Sequence, residues 1–292
     1  MTVVRGSEMS PHRAIPVQLP TEYGELSGLH GTSQSRTVLA TAVLLPGYTG
    51  SKEDFAALID PLTEAGFDVL TIDLPGQYQS DGPDDEDAYR PSRLGVVIAN
   101  LVSRLRSEGR RVLLLGHSYG GLVARAAVLS GAEPVGLTLL GSGPSALPPG
   151  PRLSLIELCE PALRLHGVEA AAQIYEAHDP AWSARPRELR TLLRARLVSS
   201  MPAGLLGMAT ALRTEPDLVP ELATRLQEHR VRGFVVCGEQ DDVWSVETQR
   251  EMAEKLGVDF VTVPDSGHSP NKDNPQGLLD VLVPTWQRWL LS

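Results

Sequence analysis

The sequence of 292 residues predicts an α/β fold, with a doubly wound, mostly parallel sheet and an inserted all-helical cap. Three observations lead to this prediction. Short apolar segments alternate with amphipathic segments over the first half of the chain, the alternation stops near residue 144, and it resumes near residue 229. Strands that alternate with helices imply right-handed crossover connections and a parallel sheet covered by helices on both faces.

The first strand of the parallel sheet is predicted over Thr37 to Leu45, a nearly continuous apolar run that is typical of a strand buried on both faces. Ser51, with Asp54 three positions later, resembles the capping signal of a helix, and apolar residues follow at helical spacing. Further strands and helices are predicted, in chain order, over Phe67 to Ile72, Pro91 to Ser107, Arg111 to Leu115, Tyr119 to Leu129 and Val135 to Leu140. Two earlier segments, Ala14 to Leu19 and Glu22 to Leu29, predict a leading antiparallel hairpin.

The segment 144–228 has helical apolar spacing and proline punctuation but no strand-like run, which predicts a helical cap. Its helices are expected near Leu153 to Leu165, Val168 to His178, Pro186 to Val198, Ala203 to Leu212 and Leu218 to Gln227. The alternation then resumes with a strand over Val231 to Cys237, a helix over Val246 to Leu256, a strand over Asp259 to Val263 and a helix over Gln276 to Leu291. One core is therefore predicted in two parts, 1–143 and 229–292, with the cap between them.

The composition limits which partners and which cellular compartment are expected. The 26 Lys and Arg residues against 36 Asp and Glu residues give a net charge of -10, so we expect neither nucleic acid nor a membrane as a partner. Cys159 and Cys237 lie in apolar segments, which favours buried thiols in a reducing compartment. The segment from Met1 to Arg13 has no apolar run typical of a signal peptide, so a cytoplasmic location is expected. The oligomeric state stays open.

A G-x-S-x-G motif stands between a predicted strand and a predicted helix, as Gly116-His117-Ser118-Tyr119-Gly120. A serine in this context lies in a strained turn that needs glycines for steric room and lifts the hydroxyl above the sheet edge. The N-terminus of the following helix favours developing negative charge. Ser118 is therefore the candidate nucleophile.

At this motif the chain resembles the α/β-hydrolase superfamily, in its serine-nucleophile branch with a helical cap, and the resemblance covers nearly the whole length. The segment from Leu44 to Ser51 is similar to the family's oxyanion loop, and the resemblance implies that the backbone N–H groups of Tyr48 and Tyr119 receive the oxyanion. Many members carry His where this chain has Pro46, a departure that affects loop packing rather than the main-chain donor.

A second loop, from Asp73 to Ser80, is similar to the family's D-x-x-G-x-G-x-S segment. Tyr78 replaces the second glycine, so the loop is expected to differ in shape and to reach toward the pocket. Tyr78 and Trp244 are candidate pocket-lining residues, as is the side chain of Tyr119.

The resemblance also implies a base for Ser118 and an acid that orients this base. Asp241 follows an apolar strand and resembles the family's acid turn, and His268 lies 27 positions later, after the last strand, so the chain order is Ser, Asp, His. Neighbouring Asp242 would be the acid if the turn were shifted by one residue. Some members place the acid after the preceding strand, but there this chain has only Gly141-Ser142-Gly143.

The remaining candidates are weaker. His117 is expected to pack rather than to react, because side chains that flank the elbow point away from the serine. His166 and His178 lie in the predicted cap, where surface histidines are common. No metal-ligand spacing and no phosphate loop is present in the sequence, so neither a metal nor a cofactor is expected.

These observations predict a serine hydrolase that cleaves a carboxylic ester or a lactone of a small, largely apolar substrate through an acyl-enzyme. A thioesterase, a carbon–carbon bond hydrolase and a perhydrolase use the same triad and stay open, because fold alone does not choose among them. A second class of function is a non-catalytic small-molecule sensor with a hydrolase fold. A serine at the elbow argues against the dehalogenase and epoxide-hydrolase chemistries, which use an aspartate there.

Overall fold

A single eight-stranded sheet organises the protein in the computed structural model, which describes residues 6–291. The strands are β1 (Ile15–Thr21), β2 (Gly24–Gly31), β3 (Ala40–Leu45), β4 (Phe67–Ile72), β5 (Val112–His117), β6 (Gly136–Leu140), β7 (Arg232–Gly238) and β8 (Asp259–Val263). Their order across the sheet is β1-β2-β4-β3-β5-β6-β7-β8. The first two strands pair antiparallel with each other and β2 pairs antiparallel with β4, whereas all other pairs are parallel. The predicted hairpin and the mostly parallel sheet are both confirmed.

Helices cover both faces of this sheet. They are α1 (Ala56–Glu64), α2 (Pro91–Ser107), α3 (Tyr119–Leu129), α4 (Pro151–His166), α5 (Val168–His178), α6 (Arg187–Val198), α7 (Pro202–Thr214), α8 (Val219–Glu228), α9 (Val246–Leu256), α10 (Pro270–Asp273) and α11 (Pro275–Leu291). Short 3-10 turns occupy Ser7–Met9, Lys52–Phe55, Glu86–Tyr89 and Trp182–Ala184. Apolar residues of α2, α3, α8 and α9 form the core on one face, and those of α1 and α11 form the core on the other. The predicted doubly wound fold is confirmed.

Between β6 and β7 the chain forms helices joined by loops and no strand, as predicted. Helices α4 to α7 share a small apolar core of their own, formed by Leu163, Ala171, Ala172, Leu197, Leu205 and Leu206. Helix α8 instead packs against α3 and α9, in the layer that covers the sheet. The boundaries of the cap at residues 144 and 228 stay a prediction. The packing of α8 associates that helix with the core layer.

The predicted side-chain cap at Ser51 is wrong. Ser51 has the extended backbone of an N-cap and precedes the 3-10 turn over Lys52–Phe55, but its side chain makes no capping hydrogen bond, and α1 starts only at Ala56. Asp54, the second half of the supposed signal, pairs instead with Arg196 of α6, with 2.6 Å between the charged atoms. A long-range ion pair therefore uses the carboxylate that the local pattern assigned to the cap.

Within residues 6–291, no helix is both long enough and apolar enough to cross a lipid bilayer.

Candidate active site

Ser118 lies in a sharp turn between β5 and α3, with φ 54° and ψ -120°. This backbone region is strained for a residue with a side chain. Two glycines make the turn sterically feasible, because a Cβ on Gly116 would lie 2.1 Å from the carbonyl oxygen of Gly120, and one on Gly120 would lie 2.4 Å from that of Pro46. The backbone N–H of Ser118 donates to the carbonyl of Leu140 at 2.8 Å, which ties the turn to β6.

The structure brings Ser118, His268 and Asp241 together in one hydrogen-bonded chain. The distance from Ser118 Oγ to His268 Nε2 is 2.9 Å, and that from His268 Nδ1 to Asp241 Oδ1 is 3.0 Å. The histidine side chain is 9% exposed and the aspartate side chain is fully buried. In this geometry the imidazole can accept the serine proton while the carboxylate holds its other nitrogen protonated.

Asp241 is held by three donors, which explains how a buried carboxylate stays charged. Besides His268, the backbone N–H of Val243 donates to it at 3.0 Å and the side-chain amide of Gln249 donates at 2.9 Å. Burial by itself would raise the pKa of Asp241, but these hydrogen bonds and the charge of His268 lower it below its ordinary value. Asp242, the alternative acid, is exposed and is not the partner of His268. No sequence pattern pointed to Gln249.

The segment that contains Tyr48 lies directly against the serine. A Cβ on Gly47 would lie 3.0 Å from Ser118 Cβ, so the loop after β3 reaches the elbow at closest packing distance. Among residues 6–291, neither the backbone N–H of Tyr48 nor that of Tyr119 has a hydrogen-bond acceptor. Two unpaired main-chain donors next to Ser118 are what an oxyanion would require.

A buried ion pair connects this loop to the loop after β4. Lys52 Nζ contacts Asp73 Oδ2 at 2.8 Å, and the backbone N–H of Lys52 donates to Asp73 Oδ1 at 2.7 Å. Burial raises the pKa of Asp73 to about 6, although Lys52 opposes the rise. Gln77 adds a hydrogen bond from its side-chain amide to the carbonyl of Gly47 at 2.8 Å. Asp73 was visible in the D-x-x-G pattern, but no sequence pattern pointed to Lys52 or Gln77.

A cavity of about 150 Å³ lies above Ser118 and His268, and we call it the inner cavity. Its remaining wall combines aliphatic side chains, mostly of α4 and α7, with residues of the loop after β3 and with five charged side chains, which are Asp54, Arg152, Glu160, Arg196 and Lys272. The apolar part of the wall consists of Leu147, Leu155, Ile156, Leu163, Ala171, Leu197, Leu205, Leu206, Ala209, Leu212 and Val243. Tyr48, Tyr175 and Cys159 also face it, whereas Cys159 was expected in the core. Burial raises the pKa of the Cys159 thiol, which keeps it protonated.

The predicted lining residues Tyr78 and Trp244 are not part of this wall, so that prediction is wrong for the inner cavity. Tyr78 adopts a positive φ of 42° and its ring covers the ammonium group of Lys52 at 4.7 Å, which turns it toward the ion pair. Trp244 is buried behind His268, with 6.3 Å between ring centroids. The side chain of Tyr119 points into the core and donates to the carbonyl of Tyr89.

The other candidate residues fall outside this hydrogen-bonded chain. His166 and His178 are exposed on α4 and α5. Cys237 is buried in β7 and, like Cys159, is a free thiol. Within the described part of the chain, no group of three or more His, Cys, Asp or Glu side chains is placed to hold a metal ion.

Comparisons with known proteins agree with this fold. A family model described as the Alpha/beta hydrolase family matches residues 42–281. A Bacillus subtilis (strain 168) protein assigned as 2-succinyl-6-hydroxy-2,4-cyclohexadiene-1-carboxylate synthase is 26% identical over 242 residues, which cover 80% of this chain and 85% of the relative. The 2-hydroxy-6-oxononadienedioate/2-hydroxy-6-oxononatrienedioate hydrolase of Escherichia coli (strain K12 / DH10B) is 28% identical over 213 residues, or 69% of this chain and 70% of the relative. The enol-lactonase from Burkholderia xenovorans LB400 has a similar fold, with a TM-score of 0.71 at 19% identity over 94% of this chain and 100% of that chain.

Proposed function

Because this chain belongs to the alpha/beta hydrolase family, we propose that it is a serine hydrolase that cleaves a carboxylic ester or a lactone of a small substrate through an acyl-enzyme. The observation that carries the proposal is the hydrogen-bonded chain from Ser118 through His268 to Asp241, which ends at the inner cavity. A serine, a base and an orienting carboxylate in this order are the groups that acyl transfer requires.

In the proposed cycle, Ser118 Oγ attacks the substrate carbonyl while His268 Nε2 takes the hydroxyl proton. The oxyanion accepts hydrogen bonds from the main-chain N–H groups of Tyr48 and Tyr119. His268 then gives its proton to the leaving oxygen, and a water molecule, activated by the same imidazole, releases the acid. Asp241 fixes the tautomer and stabilises the imidazolium, and its lowered pKa keeps it ionised at neutral pH.

The size and composition of the inner cavity support a small and largely apolar reacting part. A volume of about 150 Å³ suits a short acyl chain rather than a long lipid tail. Eleven aliphatic residues line this cavity, so burial of acyl methylenes against them supplies binding energy. Charged side chains border the same cavity, and they are Asp54, Arg152, Glu160, Arg196 and Lys272. We propose that α4 to α7, the inserted helices that carry much of this wall, act as the cap that selects substrates.

The experiment that tests the proposal combines a covalent probe with a substrate panel. A fluorophosphonate should add one adduct to the wild-type protein, seen by intact mass, and none to Ser118→Ala. Para-nitrophenyl esters, thioesters and lactones are then compared by kcat/KM. A protein that binds these compounds without acylating Ser118 would be a sensor, and the hydrolase proposal would be abandoned.

Carbon–carbon bond hydrolysis is the second candidate, since the E. coli relative carries the name of a dienedioate hydrolase. The same Ser118 and His268 would serve that reaction. Including the dienedioate in the panel separates the two, because an ester hydrolase should turn over simple esters with a higher kcat/KM than the dienedioate.

A further inference from the structure

A second cavity lies beside the inner one and is several times larger, with a volume of about 630 Å³, and we call it the outer cavity. It lies among α4, α5 and α6 and extends to the 3-10 turn near the N-terminus. Seven residues border both cavities: Thr49, Arg152, Leu155, Tyr175, Arg196, Leu197 and Lys272. These residues lie between the two cavities, and we call them the junction.

The junction contains three cations and no carboxylate. The acids nearby border only one cavity, as Asp54 and Glu160 do for the inner cavity. The outer cavity has acids of its own, which are Glu8, Glu176, Asp179 and Asp242. The protein has a net charge of -10, so three cations grouped beside the cavity of the candidate nucleophile stand out from its overall charge balance.

The cations of the junction differ in how far they are already neutralised. Arg196 is paired with Asp54 at 2.6 Å, and both side chains are buried. The nearest carboxylate oxygen to Lys272 Nζ is that of Glu8, at 3.7 Å, beyond ordinary hydrogen-bond distance. Within residues 6–291 the guanidinium of Arg152 makes no hydrogen bond or ion pair. Arg152 and Lys272 therefore keep donors that a ligand can use.

Other acidic side chains around the cavities form ion pairs with basic side chains outside the junction. Glu160 pairs with Arg213, and Asp179 pairs with Arg185. Glu176 pairs with Arg194. These pairs leave Arg152 without a carboxylate partner among residues 6–291, and Lys272 with Glu8 as its partner at 3.7 Å.

We propose that the junction is a binding site for an anionic group of the substrate, specifically a carboxylate, held by Arg152 and Lys272. The inference rests on the proposed hydrolase function and narrows its substrate class to small esters or lactones that bear a negative charge. A planar guanidinium matches a carboxylate in bidentate geometry, and the ammonium group adds a point charge beside it. The reacting carbonyl lies in the inner cavity, and the charged end reaches the junction.

Matched substrate pairs test the charge by itself. On the acyl side, mono-para-nitrophenyl glutarate is compared with para-nitrophenyl valerate, which has a methyl group in place of the carboxylate. On the leaving-group side, the butyryl ester of para-hydroxybenzoate is compared with phenyl butyrate. The two pairs together identify which end of the substrate faces the junction, and the measured quantity is the ratio of kcat/KM for the anionic to the neutral member.

In at least one pair, we expect Arg152→Gln and Lys272→Gln each to lower this ratio about 5- to 10-fold, as expected for the loss of one partly exposed charged hydrogen bond. Added salt should lower the wild-type ratio as well. Arg36→Gln and Lys255→Gln are the matched controls, because both residues are exposed and border neither cavity. If Arg152→Gln and Lys272→Gln both keep the wild-type ratio in both substrate pairs, the proposal is overturned.

A binding measurement keeps this inference separate from the hydrolase proposal. In Ser118→Ala, monomethyl glutarate should raise the melting temperature more than methyl valerate does, and Arg152→Gln in the same background should remove the difference. Equal stabilisation by the two esters, or none by either, would refute the anion site. Failure of the fluorophosphonate to label Ser118 would instead refute the hydrolase proposal and leave this binding result standing.

Discussion

His117 hydrogen-bonds through Nε2 to the backbone carbonyl of His268, at 2.9 Å. Because a carbonyl can only accept, the Nε2 atom of His117 must carry the proton. Burial, together with the nearby charge of His268, lowers the pKa of His117 to about 3, so this ring stays neutral at physiological pH. The residue beside the candidate nucleophile thus holds the loop that presents the candidate base.

We expect His117→Phe to lower kcat about 10-fold with a smaller change in KM, because the His268 loop loses its donor and the imidazole loses alignment with Ser118. His117→Asn, which retains a side-chain donor, should recover part of kcat. His166→Phe is the control, since His166 is exposed and borders neither cavity. Steady-state kinetics on one ester tests this prediction, and an unchanged kcat in His117→Phe would contradict it.

The same histidine predicts a pH dependence of stability. The pKa of His117 is about 3 in the folded state and near 6.5 in the unfolded chain, so the unfolded state binds the extra proton between these values. The contribution of His117 to stability is therefore complete above about pH 6.5 and is lost as the pH falls toward 3, by about 1.4 kcal/mol per pH unit. Urea unfolding of wild type and His117→Phe across this range should show the extra slope in the wild type alone. Parallel pH profiles would refute this assignment.

The fold and the three central residues were predictable because each depends on a local pattern. Buried strands are continuous apolar runs, and α2, α3, α5 and α9 begin and end where their apolar spacing indicates. Ser118 and His268 stand at turns whose sequence resembles a family motif. Local patterns of this kind are visible without any knowledge of tertiary contacts.

Other features depend on residues distant in sequence, which no local pattern records. The donor from His117 spans 151 positions, and the ion pair between Asp54 and Arg196 spans 142. The ion pair takes the Asp54 carboxylate that the predicted capping signal included. Tyr78 was expected to reach the pocket, but the buried charge of Lys52 attracts its ring instead. The sequence located the site, and the tertiary contacts determine its walls.

Ser118→Ala should reduce kcat for ester hydrolysis by a factor on the order of 10⁶, if the serine is the covalent nucleophile. Ser118→Gly should be equally inactive but more stable than Ser118→Ala by about 1 kcal/mol, because glycine accepts the positive φ without strain. Rates near the wild-type value in either variant would rule out the serine mechanism. Thermal unfolding of the two variants measures this strain. Equal melting temperatures would show that Ser118→Gly relieves no backbone strain.

Asp241→Asn should lower kcat about 10⁴-fold, because an amide cannot hold the His268 tautomer in the same way. Asp242→Asn, the neighbouring control, should change kcat less than about twofold, since Asp242 is exposed and does not contact His268. Circular dichroism establishes that both variants fold. A larger loss at Asp242 than at Asp241 would reverse the assignment of the acid.

The inner cavity predicts a chain-length optimum for acyl groups. In para-nitrophenyl esters from acetate upward, kcat/KM should rise about fourfold per added carbon, the equivalent of about 0.8 kcal/mol per buried methylene, and then fall once the cavity is full. Ala209 on α7 is buried and faces this cavity, so Ala209→Leu should fill part of it and move the optimum to a shorter acyl chain.

Ala177→Leu makes the same change on the exposed side of α5 and should leave the optimum in place, because Ala177 borders neither cavity. The comparison separates the volume of the cavity from a general effect of a larger side chain on an inserted helix. If the chain-length profile is flat in the wild type, or if Ala209→Leu does not shift its optimum, the acyl group binds elsewhere. Substrate selection would then have to be assigned to a surface other than the wall formed by α4 and α7.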